Sequence, residues 1–184
     1  MVLDFTNAVA ASIEKDYPEV ILEVFAYKEA VDPPRSGMKA HPNVMVQIAD
    51  WRFDWLRPLE QSPQYIALLD QWKKTANHLS IWGYWRLYFE PFPSPKTMVS
   101  SLQGYLQHYR KIGVKKIFIE AEVDELYPDS FIDLRTWLGA KLMTTPEMDV
   151  PSAIAEFMRG FYGAAAEPMT RYLNCLEERM KEEK

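Results

Sequence analysis

The chain has 184 residues, of which 48% are hydrophobic and 26% charged, with a formal net charge of −5 and a pI near 5.3. That is an ordinary globular balance, long enough for one sizeable core, and it lacks the basic footprint that a phosphate backbone requires. No uninterrupted apolar run approaches the ~20 residues of a membrane span, and the single Cys175 allows neither an internal disulfide nor zinc-type ligand spacing.

Residues 1–16, MVLDFTNAVAASIEKD, read as an amphipathic helix without the basic start of a signal peptide; the compartment is not encoded in them. After Pro18, VILEVFAY (20–27) is rich in β-branched and aromatic residues and reads as a strand. A Pro-rich loop, 28–42, leads to NVMVQIADW (43–51), a second strand. QSPQYIALLDQWKKTAN (61–77) spaces Tyr65, Leu68, Leu69 and Trp72 as a helix does, with Ser62 ahead of Pro63 as its cap. LSIWGYWRLYFEPFP (79–93) opens as a third strand and then crowds its rings at the strand's end.

SPKTMVSSLQGYLQHYRKIG (94–113) has Pro95 for a first helical turn, an apolar stripe of Met98, Leu102, Tyr105, Leu106 and Tyr109, and Gly113 as its stop. VKKIFIEAE (114–122) is the fourth strand. SFIDLRTWLGAKLM (130–143) and a segment from about Pro151 to the end, broken near Gly160 to Gly163, are helical, with Phe157, Phe161 and Tyr162 expected to pack inward. Strands alternating with helices, with no Asn-Gly hairpin signal between them, predict an α/β fold of adjacent parallel strands in sequence order.

Alternation along each strand separates two kinds of face. In the fourth, Ile117, Ile119, Ala121 and Val123 oppose Lys116, Phe118, Glu120 and Glu122. In the second, Gln47, Ala49 and Trp51 oppose Val46, Ile48 and Asp50; in the third, Ser80, Trp82 and Tyr84 oppose Leu79, Ile81 and Gly83. A doubly wound sheet would be apolar on both faces. One mixed face instead suits a barrel interior, so the expectation is a single (β/α)4 domain over 1–184, half of a (β/α)8 TIM-like barrel with extra C-terminal helices, and a fragment of a larger barrel protein.

Function in such folds gathers at the carboxyl ends of the strands. Glu120 and Glu122 stand two apart on one strand face, with Cα atoms about 6 to 7 Å apart. Paired carboxyls are what glycoside hydrolysis uses, one to protonate the leaving oxygen and one to activate water or attack the sugar. Tyr27, Trp51, Trp82, Tyr84 and Trp85 fall at or just past strand ends, where rings can stack on the apolar C–H faces of sugars. Asp50, Arg52 and Asp54 could hold hydroxyls or form a surface ion pair, and Arg86 or Lys116 could neutralise Glu120. His78 begins a strand at the opposite end, and neither His41 nor His108 joins a metal cluster, so no metal and no cofactor is expected. GxGxxG, P-loop, GxSxG and HExxH spacings are absent, which removes the usual support for hydride, phosphoryl and zinc-protease chemistry.

Ala26-Tyr27 followed by Pro33-Pro34, NVMVQIAD, IWGY (81–84), PFPSP (91–95), GVKKIF (113–118) and FMRGFYGAAAEP (157–168) resemble, in order and over almost the whole chain, the bacterial DUF4838 family. That family is similar to the catalytic-barrel portion of large polysaccharide-degrading proteins, with a distant likeness to α-glucuronidases and hexosaminidases. The resemblance implies carbohydrate and N-terminal strands outside this chain. Tyr27, Trp82, Tyr84 and Glu122 match positions the family keeps; Gly83 stands where it commonly has an acid, and Ile119-Glu120-Ala121 replaces a more polar, Gly-containing stretch.

The expected function is therefore a glycoside hydrolase-like domain with Glu122 as general acid or base, Glu120 as its partner, and Tyr27, Asp50, Trp51, Trp82, Tyr84, Trp85 and Arg86 as substrate contacts. A non-catalytic carbohydrate-binding module is the second reading. The third is a structural half-barrel completed by another domain or a second copy of the chain through its open strand edges. Neither nucleic acid nor membrane is expected as a partner.

Overall fold

The computed structural model describes residues 2–49, 52, 55–85, 97–121 and 130–182. Its elements run α1 (Val2–Ile13), β1 (Leu22–Tyr27), β2 (Val44–Ala49), α2 (Pro63–Thr75), β3 (His78–Tyr84), α3 (Leu102–Ile112), β4 (Lys116–Glu120), α4 (Ile132–Thr144), α5 (Val150–Tyr162) and α6 (Ala166–Glu182), with short 3-10 turns at Lys28–Ala30, Leu59–Gln61 and Gly163–Ala165. The four strands form one sheet in the order β1-β2-β3-β4, and all three pairings are parallel. The α/β class and the expected strand order are both present.

The described chain divides into two compact units. The first comprises Met1–Asp54, Glu60–Tyr84 and Lys111–Glu120; the second comprises Trp55–Leu59, Trp85–Arg110 and Ala121–Lys184. The first holds the sheet. Register aligns Val24, Val46 and Leu79 in one row and Ala26, Ile48, Ile81 and Ile117 in the next. Val44, Val46, Ile48 and Ile81 of this face are completely buried, and each such side chain contributes about 1.5–3 kcal/mol. Helix α1 packs on β1 and β2, and α2 on β3, bringing Tyr65, Leu68, Leu69 and Trp72 into the core.

The Pro-rich loop after β1 carries no long helix, so side chains hold it in place. Lys28 turns the chain out of β1 in the left-handed region, at φ 50°. The Trp72 indole N–H donates to the Val31 carbonyl at 2.8 Å. Asn7 of α1 donates to the Lys39 carbonyl at 2.8 Å and accepts from the His41 N–H at 2.8 Å. These bonds satisfy loop backbone groups that no ladder can reach.

In the second unit, α3 begins later than its apolar stripe suggests. Thr97 Oγ accepts from the Val99 N–H at 3.2 Å, and the single Ser101 hydroxyl proton is shared between the Trp55 carbonyl, 2.7 Å from Oγ, and the Met98 carbonyl, 2.9 Å from it. Such local side-chain bonds give the backbone an alternative to a helical turn. Met98 is still buried, but ahead of the helix. Asp149 caps α5 by accepting from Ser152, and Gly163, at φ 53°, ends it. Of the three rings expected to pack inward, Phe157 is buried, Tyr162 is half-buried and Phe161 is 56% exposed. Phe161 instead lies stacked on Phe157, centroids 4.9 Å apart, because positions four apart share a helix surface without both reaching the core.

Trp85 belongs to this unit and is 2% exposed. Its indole lies so close over Gly139 of α4 that a Cβ there would overlap the ring's Cζ3 edge. Ala replacing Gly in a helix ordinarily stabilises by about 1 kcal/mol. Here the clash reverses the sign: Gly139→Ala is expected to destabilise by about 1–3 kcal/mol, read as a lowered midpoint in urea unfolding.

Tyr162 gives a second expectation. Burial, helped by the nearby Asp133 carboxylate, holds its phenol above the ordinary 10.0. The folded state therefore keeps a proton that the unfolded chain gives up, so this stability is complete below that value and declines as pH rises through the raised one. Melting of the parent should fall more steeply above about pH 10 than that of Tyr162→Phe.

Candidate functional site

The sheet's other face is mixed, as its alternation predicts. Register sets Phe25 beside Gln47, Gln47 beside Ser80 and Ser80 beside Lys116; one row on come Tyr27, Ala49, Trp82 and Phe118, and beyond them Tyr84 beside Glu120. Gln47 and Ser80 are buried at 2% and 0% exposure, and the Gln47 amide donates to Ser80 Oγ at 3.0 Å. A buried polar pair of this kind is tolerated because each group satisfies the other.

Above that pair lies a run of three rings. Trp82 meets Phe118 of β4 with centroids 4.1 Å apart and Phe25 of β1 with centroids 5.5 Å apart. Phe25 and Phe118 remain 47% and 42% exposed, unusual for strand phenylalanines. On the third side the Trp82 indole N–H donates to Glu120 Oε2 at 3.1 Å. A half-exposed indole is thus gripped by two rings and a carboxylate.

The face is concave. Lys116 Nζ of β4 lies 2.6 Å from Glu23 Oε2 of β1, although three strand spacings, about 14 Å in a flat sheet, separate those strands. Side chains standing perpendicular to a flat sheet cannot close that gap. The sheet must curl toward its mixed face, which also explains how Phe25 reaches Trp82 across β2.

The expected site residues divide among several places. Trp82 and Glu120 are in direct contact, and Tyr84 is Glu120's register partner at the strand ends. Tyr27 ends β1 at 37% exposure, with Lys28 Nζ 5.2 Å from its ring centroid. Trp85 is the buried tryptophan packed on Gly139. Asp50, Trp51, Arg86 and Glu122 lie outside the described residues. Arg52 pairs with Asp32 at 3.4 Å, and Lys116, offered by sequence as a neutraliser of Glu120, is taken by Glu23. Gly83 is paired with Ile119 on the apolar face, so an acid at that position would belong to the opposite face from Trp82.

Phe25 and Phe118 are the contacts that sequence reading did not name as site residues. The signal was there in the alternation, since Phe118 shares a face with Glu120, but a phenylalanine in a strand reads first as core. Apart from this face, in the other unit, Arg135 of α4 is a charged residue that is only 1% exposed. Among the described residues no group of three or more His, Cys, Asp and Glu could hold a metal ion, and no helix is long and apolar enough to cross a membrane.

The Trp82–Glu120 bond sets an expectation of its own. Glu120→Ala removes the acceptor and should cost about 1–2 kcal/mol, whereas Glu120→Gln keeps a carbonyl there and should cost less. Chemical unfolding of the two variants, together with acrylamide quenching of Trp82 taken by difference from a Trp82→Phe protein, reads both the stability and the ring's freedom.

The family model described as Domain of unknown function (DUF4838) matches residues 1–174. No curated protein and no solved structure matches the chain.

Proposed function

Since the chain belongs to the DUF4838 family, we propose that it is a carbohydrate-active domain, built as half of a (β/α)8 barrel, that takes a polysaccharide or oligosaccharide on the mixed face of its sheet. The observation that carries this reading is the run Phe25–Trp82–Phe118 on a concave face, its two phenylalanines exposed and Trp82 part-buried between them, with the Glu120 carboxylate at its edge. Aromatic faces stack on the C–H faces of pyranose rings, while a carboxylate at the rim accepts from hydroxyls. Parallel strands present their loops at the carboxyl ends, where Tyr27, Tyr84 and Glu120 stand.

In the hydrolytic form of the proposal, Glu122 is the general acid or base and Glu120 modulates it, with Asp50, Trp51 and Arg86 as further sugar contacts; Trp85, expected among them, is buried against Gly139 and is not one. The bond from Trp82 to Glu120 favours a second form, a binding module, because it uses that carboxylate to orient a ring. In either form, another domain or a second copy of the chain that supplies the remaining strands is the proposed protein partner.

Turnover and binding on a panel of plant and bacterial polysaccharides separate the two forms. Glu122→Gln keeps shape and hydrogen bonding but removes the titratable proton, so an enzyme should lose roughly a hundredfold or more in turnover and still bind. Trp82→Ala should weaken binding itself. Equal turnover in Glu122→Gln and the parent excludes the catalytic role and leaves the lectin-like one.

A further inference from the structure

The Glu23–Lys116 pair is out of proportion to an ordinary surface contact. It joins the two outermost strands of a four-stranded sheet, at 2.6 Å, across the face that carries the rings. Lys116 lies one register row before Trp82 and Phe118, and Glu23 lies one row before Phe25, toward the strands' amino ends. The pair therefore sits beneath the ring run, on the side away from Tyr84 and Glu120. Both residues are exposed, with side-chain exposures of 49% for Lys116 and 31% for Glu23.

We propose that Glu23 and Lys116 are positioning residues for the glycan platform: their ion pair clasps β1 to β4, fixes the curl of the sheet, and so holds Phe25 against Trp82 and closes the trough below the rings. This rests on the carbohydrate reading given above, and it adds that a glycan enters from the strands' carboxyl ends. Two geometric facts carry it. Phe25 and Trp82 are separated by a whole strand, so their 5.5 Å centroid distance depends on the curvature. Among the described residues, Lys116 and Glu23 form an ion pair that spans all four strands, and relaxing their contact lets the edges move apart. The side chains of Gln47 and Ser80, between them, bond to each other rather than to a side chain of either edge strand.

The consequence is unusual for stacking of an uncharged ligand. Affinity for a neutral sugar becomes sensitive to an ion pair that the sugar does not touch, and it weakens as salt screens that pair. Exposed ion pairs are individually weak, which bounds the effect at about three- to fivefold in affinity.

The test compares the parent with Glu23→Gln, Lys116→Gln and the charge-reversed double variant Glu23→Lys/Lys116→Glu. Probes are cellohexaose, xylohexaose, mannohexaose and maltohexaose, with affinity measured by calorimetry at low and high salt. Acrylamide quenching of Trp82, by difference from Trp82→Phe, reports the ring directly and needs no ligand. Expected are single variants with Trp82 more open to quencher and about three- to fivefold weaker binding of the sugar the parent takes, both restored by the reversed pair. Restoration separates positioning from mere loss of a side chain. Unchanged quenching and affinity in the single variants overturns the proposal and leaves the carbohydrate reading standing; single variants that unfold without rescue by the reversed pair also overturn it. A quenching change with rescue, but with none of the four sugars bound by the parent, upholds the clasp on the rings and removes its role in glycan binding.

Discussion

Parallel, in-register pairing is the constraint on which the first unit depends. Because β1 to β4 pair without a hairpin, each row of the sheet sends its side chains the same way. Val24, Val46 and Leu79 go to the side covered by helices, and Phe25, Gln47, Ser80 and Lys116 to the other. The first set supplies the apolar burial that keeps the sheet together. With cohesion supplied there, the second face can expose phenylalanines, bury an amide and carry an ion pair.

Much of this was legible from the residues alone. Short β-branched runs bounded by Pro, Asn and Gly located all four strands, and period-two alternation separated their faces before any register was known. What was not legible depends on long-range geometry. Nothing in the local sequence of Glu23 or Lys116 announces that residues 93 positions apart meet, because their meeting is a property of curvature. Trp85 illustrates a related limit. It follows Trp82 and Tyr84 so closely that it reads as a third ring of one cluster, yet it falls outside β3 and packs on a glycine of α4.

Helix ends were harder than helix faces for a similar reason. The stripe from Met98 to Tyr109 is buried as its spacing predicts, but the hydroxyls of Thr97 and Ser101 bond locally and postpone the first turn. In the second unit, Phe161 shows that apolar character does not by itself choose a direction. It extends an aromatic cluster that also includes Phe131, Trp137, Phe157, Tyr162 and Tyr172, and it does so from the surface.

The bond between Gln47 and Ser80 has a bearing on how the chain can change over time. The amide and hydroxyl sit side by side on neighbouring strands in a place closed to water. Losing either one strands its mate, at a penalty larger than the bond's own net contribution, while exchanging both for apolar groups of matching volume is nearly neutral. The two positions are therefore bound to drift as a couple: in sequences descended from a common ancestor with this one, an aliphatic residue at 47 should be accompanied by one at 80, and lineages caught with a single exchange should be few.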